Sequence, residues 1–293
     1  MTGTNLQNIT IDPILLPGNT NGKFHVLRLD KIHDLISGNK WFKLKFYLED
    51  ARMKGRKGIL TFGGAYSNHL LASAAACNMN GFEAIGVVRG ERPARLSSTL
   101  KEAERLGMQL HFSSREDYAE KKIPSSIETK DLLVVEEGGY GETGANGASE
   151  IVTHISQHYT HICCAVGTGT MMAGLINALP STSAVVGISV MKNNHSLENA
   201  VSALLKKQDV SWQINHEFHF GGYAKHPAEL ISFMNELYQQ SNIPSDIVYT
   251  SKLFYGINEL ARCNTFAETD KILIVHSGGL QGNNSLQKGT LIY

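Results

Sequence analysis

Gly167, Thr168, Gly169 and Thr170 lie in CCAVGTGTMMAG, where a buried apolar strand turns into a helix. In that setting backbone N–H groups and two hydroxyls converge on the helix N-terminus, an arrangement suited to phosphate. A second such turn, TFGGAYSNHLLA, carries Ser67 and Asn68 at a helix start behind Gly63 and Gly64. Ser and Asn are also preferred helix caps, so this pair alone carries no chemistry beyond capping. Lys40 raises a third question. In SGNKWFKLKFYL it follows a Gly-Asn pair and precedes Trp41, so it sits where a loop becomes an apolar segment and not on a solvated face.

Several readings of these residues compete. A dinucleotide would require an acidic residue about 20 positions beyond the glycine turn, at the end of the next strand. Here AVVGISVMKNN ends in Met191 and Lys192, which disfavours NAD and leaves NADP barely tenable. A tight turn that binds nothing is the plain alternative. Ser37 to Lys40 is formally S-x-x-K and Tyr66 to Asn68 formally Y-x-N, both elements of penicillin-binding serine acyltransferases. That chemistry needs a late K-T-G strand, and the chain offers only QKGT. His154, His158 and His161 could share a helix face, but the H-E-x-x-H glutamate is missing, so no metal site is expected.

The elements that must position these residues alternate. GILTFGG, EAIGVVRG, MQLHFSS, DLLVVEEGG, HICCAVGTGT, SAVVGISVM and KILIVHSGG read as strands. Between them run helical segments such as SNHLLASAAACNMNG, LSSTLKEAERLG, ASEIVTHISQHY, MMAGLINAL and HPAELISFMNELYQQ. Continuous apolar strands separated by helices predict an α/β protein with mostly parallel sheets covered on both faces. The glycine-dense EEGGYGETGANG, Glu136 to Gly147, falls between two such series and marks a domain crossing. Two domains are expected: a larger one from 1–50 and 156–293, and a smaller α/β domain over 51–155.

Composition narrows the partners. The 293 residues contain 27 Lys+Arg and 27 Asp+Glu with no long block of one sign, so nucleic acid and membrane surfaces have no electrostatic support and a small molecule is the expected ligand. The start of the chain lacks a basic region followed by an apolar stretch, and no apolar run reaches spanning length. A soluble cytoplasmic protein, and a homodimer, are the expectations. Cys77, Cys163, Cys164 and Cys263 form no C-x-x-C pair and read as buried thiols.

Taken together, the motifs resemble the pyridoxal-phosphate enzymes of the tryptophan-synthase-β fold (fold type II), specifically the 1-aminocyclopropane-1-carboxylate deaminase and D-cysteine desulfhydrase family. SGNKWFKLKFYL is similar to its G-N-K-x-x-K-L segment, GGAYSNH to G-G-x-x-S-N-[HQ], and AVGTGTMMAG to its phosphate loop. HFGGYAKHPAEL, IPSDIVYTSKLFYGI and HSGGLQG extend the likeness, which runs from about Arg28 to Gly282. The resemblance implies a Schiff base between Lys40 and pyridoxal 5'-phosphate, with Lys43 near the phosphate and Gly167 to Thr170 holding it. It assigns Asn68 to the ring hydroxyl, Ser67 to the substrate carboxylate or proton transfer, and Tyr223 and Tyr249 to the pocket of an amino-acid substrate. Such chemistry needs a lysine, because its amine exchanges one imine for another and then moves a proton.

Within that family the deaminase branch places a glutamate after the pocket tyrosine, facing the pyridine nitrogen. Thr250 stands there in this chain. A carboxylate keeps the nitrogen protonated and the ring a strong electron sink, which opening a cyclopropane without an α-hydrogen requires. Expulsion of a β-thiolate needs less. Thr250 therefore favours α,β-elimination from D-cysteine or a similar β-substituted D-amino acid, giving pyruvate, ammonia and sulfide. Cyclopropane deamination to 2-oxobutanoate is the alternative. Ile247 and Ser251 depart from the family's D-P-V-Y-[TE]-G-K and bear on pocket shape.

Overall fold

Runs that are apolar at nearly every position become strands covered on both faces. The computed structural model describes residues 5–18, 23–36 and 38–293, and its strands form two sheets. The smaller sheet is β3 (Gly58–Gly63), β4 (Glu83–Arg89), β5 (Met108–Ser113) and β6 (Leu132–Val135), in the order β5-β4-β3-β6 and parallel throughout. The larger joins β1 (Ile11–Pro13), β2 (Phe24–Arg28), β7 (His161–Val166), β8 (Ala184–Ser189), β9 (Ser211–Asn215) and β10 (Ile272–His276) in the order β1-β2-β10-β7-β8-β9. Only β1, paired with β2, runs antiparallel. The chain is thus an α/β protein of parallel sheets flanked by helices.

The helices are α1 (Asn39–Met53), α2 (Asn68–Asn80), α3 (Ser98–Arg105), α4 (Arg115–Ala119), α5 (Glu142–Ser149), α6 (Thr170–Ala178), α7 (Leu197–Ser202), α8 (Ala228–Ser241) and α9 (Thr250–Arg262). No described helix is long and apolar enough to cross a membrane. Local signals fix their ends: Ser67 caps α2 by accepting from Leu70 N at 3.2 Å, and Gly81 closes it in the left-handed region at φ 69°.

The glycine-dense stretch departs from its reading as a turn. Glu142–Ser149 is helical, followed by a 3-10 segment over Glu150–His154 where a longer helix was expected. Its glycines serve packing: a Cβ on Gly144 would lie 2.1 Å from Gly139 O, and one on Gly147 would lie 2.4 Å from Phe42 O. α5 therefore meets α1 backbone to backbone.

Candidate active site

Both sheets present their carboxyl ends to one cleft of about 1490 Å³, lined by Lys40, Ser67, Asn68, Gly167, Tyr223 and Tyr249 among others. Open α/β sheets place ligands at this position, because strands end there in loops that lead to helix N-termini. The β3–α2 turn supplies Ser67 and Asn68, and the β7–α6 turn supplies Gly167 to Gly169. The segment after β10, Ser277 to Gly279, forms a further wall.

Lys40 is the second residue of α1, and the reason it reaches the cleft lies two residues earlier. Gly38 has φ 64°, and a Cβ there would stand 1.7 Å from Ser277 O, so only glycine lets the start of α1 rest on the wall after β10. Asn39 N donates to the same Ser277 oxygen at 3.3 Å. The Lys40 amine lies 3.1 Å from Asn39 Oδ1 and 5.9 Å from the centre of the Tyr249 ring. Burial pulls it down to about 8, with the Asp246 charge pulling the other way.

Lys43 stands one helical turn on, on the same side of α1. It is buried and donates to Gly138 O at 3.1 Å; burial, then the neighbouring Lys40 charge, hold its amine well below the ordinary lysine range. Gly138 in turn packs on Thr168, since a Cβ there would lie 2.8 Å from Thr168 Cγ2. Lys43 is thereby brought toward the 167–170 turn. Thr168 and Thr170 share a hydroxyl contact of 3.0 Å, and Gly169 begins α6 with φ 80° and no side-chain cap.

Tyr223 and Tyr249 meet edge to face with ring centres 6.0 Å apart. Burial raises both hydroxyls, and it raises Tyr249 well above the ordinary range; the contact between them adds to the rise at Tyr249 and offsets part of it at Tyr223. At neutral pH both keep their protons, so the pair is a source of hydrogen bonds and of protons.

Thr250 is fully buried and is not among the residues that line the cleft. Its hydroxyl donates to Asp246 Oδ1 at 2.7 Å and accepts from Asp246 N at 2.7 Å, a helix-start bond. Asp246, matched in the sequence but given no role there, also accepts from Thr250 N at 2.8 Å, Val248 N at 2.9 Å and Tyr249 N at 3.0 Å.

His69 is a cleft residue noted in the sequence only as the last position of a motif. Thr61 Oγ1 donates to Val135 O at 2.7 Å and lies 2.9 Å from His69 Nε2, so that nitrogen carries the ring proton. Nδ1 is buried without a partner among the described residues, and burial, then Lys40 and Lys43, keep the ring neutral. His154 ends the 3-10 segment and His161 opens β7, so the histidine trio shares no helix face. Ser37, the nucleophile of the acyl-transfer reading, lies outside the described residues.

Pyridoxal phosphate fits the wall these residues make. Asn68 is buried with Oδ1 unpartnered, and Nδ2, which carries two N–H groups, reaches Gly279 O only at 3.4 Å, which leaves an N–H to donate to a ring oxygen. The uncapped start of α6 and the Lys43 amine suit a dianion. Lys40, an amine of lowered basicity, lines the same wall.

Comparison with known proteins gives the same family. A family model described as "Pyridoxal-phosphate dependent enzyme" matches residues 16–278. The crystal structure of an "ACC deaminase homologue" superposes with a TM-score of 0.81 at 28% identity, covering 94% of this chain and 90% of that one. The "Bifunctional D-cysteine desulfhydrase/1-aminocyclopropane-1-carboxylate deaminase, mitochondrial" of Arabidopsis thaliana is 28% identical over 91% of this chain and 75% of its own length. The "D-cysteine desulfhydrase" of Klebsiella pneumoniae subsp. pneumoniae is 23% identical over 83% of each.

Proposed function

Because the chain belongs to the pyridoxal-phosphate dependent enzyme family, we propose that it eliminates the β-substituent of D-cysteine or a similar β-substituted D-amino acid, releasing pyruvate, ammonia and sulfide. The bound cofactor supplies an electron sink that loosens the bonds to the substrate's α-carbon. Lys40 would hold the cofactor, and its amine of lowered basicity, when free, would take up the substrate's α-proton. Ser67, at the start of α2, receives the substrate carboxylate beside the first-turn N–H groups. Tyr223 and Tyr249, kept protonated by burial, donate to the departing sulfur. Asn68, Lys43 and Gly167 to Thr170 hold ring oxygen and phosphate.

The choice within the family rests on one observation, the state of Asp246, the carboxylate three residues before Tyr249 on the same turn. Asp246 already accepts from three N–H groups and the Thr250 hydroxyl, and neither Asp246 nor Thr250 lines the cleft. The cleft's carboxylates, Glu91, Glu116 and Glu137, belong to the smaller-sheet side. A ring nitrogen without a free carboxylate is a weaker sink, sufficient for thiolate loss and poorly suited to opening a cyclopropane. Cyclopropane deamination is the second reading, supported by the names of two of the relatives.

The test is product release from the purified, cofactor-loaded protein. Pyruvate and sulfide from D-cysteine should form with a kcat/KM at least about tenfold above that for 2-oxobutanoate from aminocyclopropane carboxylate, a barrier difference of about 1.4 kcal/mol. The reverse order would establish deamination.

Residues 51–155 are proposed as the smaller domain and 1–50 with 156–293 as the cofactor domain, a division supported by the smaller sheet's strands falling within 58–135. A cytoplasmic homodimer belongs to the same proposal. Light scattering of the loaded protein at twice the 32.1 kDa chain mass is the result expected for the dimer.

A further inference from the structure

Lys252, on the first turn of α9, is fully buried, and among the described residues its amine makes one hydrogen bond, to Gly222 O at 2.6 Å. Gly222 directly precedes Tyr223. The loop around it is costly to hold: Phe220, Gly221, Gly222 and Ala224 have φ of 52°, 90°, 115° and 57°. Two of these residues carry a Cβ, and such conformations persist only where the surroundings fix them. Within the loop, Gly222 N donates to His219 O at 3.0 Å and Lys225 N donates to Gly222 O at 3.1 Å, so the Gly222 carbonyl joins the loop's own bonds to the Lys252 amine.

The same helix begins at Tyr249 and Thr250, so one rigid element carries one tyrosine of the pair and tethers the loop that carries the other. Tyr223 is 39% exposed at the cleft, its ring 6.0 Å from that of Tyr249. A buried ammonium is retained at a desolvation cost, which a merely space-filling side chain such as methionine would avoid. We propose that Lys252 is a positioning residue for the reaction: by fixing the Gly222 carbonyl it sets where the Tyr223 hydroxyl stands against Tyr249 and the substrate's leaving group. This rests on the elimination reading for the role of Tyr223, while the tether itself does not.

Lys252→Met keeps the stem and removes the donor. Backbone amides of 218–225 should then exchange with deuterium at least about tenfold faster, with 161–166 and 250–262 unchanged. Sulfide release from D-cysteine should fall at least about tenfold in kcat, while cofactor affinity, read from the visible absorption during titration, stays within about twofold. The decisive comparison is made in Tyr223→Phe, where adding Lys252→Met should change kcat by less than about twofold, because the two residues act through one group. Losses that multiply, or loop exchange that does not change, overturn the proposal. Should Lys252→Met fail to fold, Lys252→Gln carries the same comparisons, with the same signs required. If the wild-type protein releases neither pyruvate nor 2-oxobutanoate, the elimination reading fails, and the exchange measurement alone upholds or overturns the tether.

Discussion

Lys40→Ala is expected to lower kcat by about 10⁴-fold, the upper end of what a positioned proton-transfer group contributes, and to abolish the visible absorption of the loaded protein. Borohydride reduction of the wild-type protein followed by peptide mapping should place the pyridoxyl mass on Lys40, and label on Lys43 or Lys45 would overturn the assignment. The lowered basicity of this amine adds a pH test. Only the neutral amine attacks an aldehyde. With a value of about 8, about one tenth of the Lys40 amines are neutral at pH 7, whereas an ordinary lysine is neutral in about one molecule in 3,000. Cofactor attachment to the stripped protein should therefore accelerate as pH rises and level off above about 8. A plateau reached only near 10.5 would mean that the amine is solvated.

Asp246→Ala should be the most damaging substitution for stability, at a loss of about 3–5 kcal/mol. The carboxylate is fully buried and accepts from Val248 N, Tyr249 N, Thr250 N and the Thr250 hydroxyl. Each donor left without an acceptor costs about 1–3 kcal/mol, less wherever water enters the space vacated. Such a loss is a large part of the 5–15 kcal/mol typical of a folded domain, so the variant should unfold at markedly lower urea. A loss below about 1 kcal/mol would show that the four bonds contribute little. Asp246→Asn keeps one acceptor and the volume, and should fall between. Because the Asp246 charge raises the Lys40 amine, its neutral replacement should also move the pH midpoint of cofactor attachment below about 8.

Much of this arrangement was legible from residue types. Continuous apolar runs became strands, and the two turns that read as helix starts, 64–68 and 167–169, line one cleft, with Thr170 buried behind the second. β2 was missed because His25 and Arg28 interrupt its apolar pattern; the Arg28 charge is accommodated by a fork to Asp30 at 2.6 and 2.9 Å, which no local pattern reveals. β9, SWQIN, is a half-exposed edge strand with weak periodicity. Gly144 and Gly147 read as turn residues because glycine density is the same whether a chain bends or two helices touch. Asp246 and Lys252 match the D-P-V-Y-[TE]-G-K pattern, but their roles stayed unread for a related reason. Their partners, backbone groups of 248–250 and of Gly222, are main-chain atoms that any sequence contains.

The strand order of the larger sheet bears on how the chain acquires its structure. β2 hydrogen-bonds only to β1 and β10, with Phe24 opposite Ile272, so the first long strand waits for nearly the last. The wall that seats Lys40 is the segment just after β10. The smaller sheet, by contrast, closes among residues 58–135 and has its partners in hand early in synthesis. Long-range parallel pairing is slow, and an unpaired apolar strand invites association with other chains while it waits. A ribosome-bound nascent chain ending before residue 272 should thus carry a protease-resistant 58–135 core, a protease-sensitive amino-terminal segment that recruits chaperones, and no capacity to take up the cofactor.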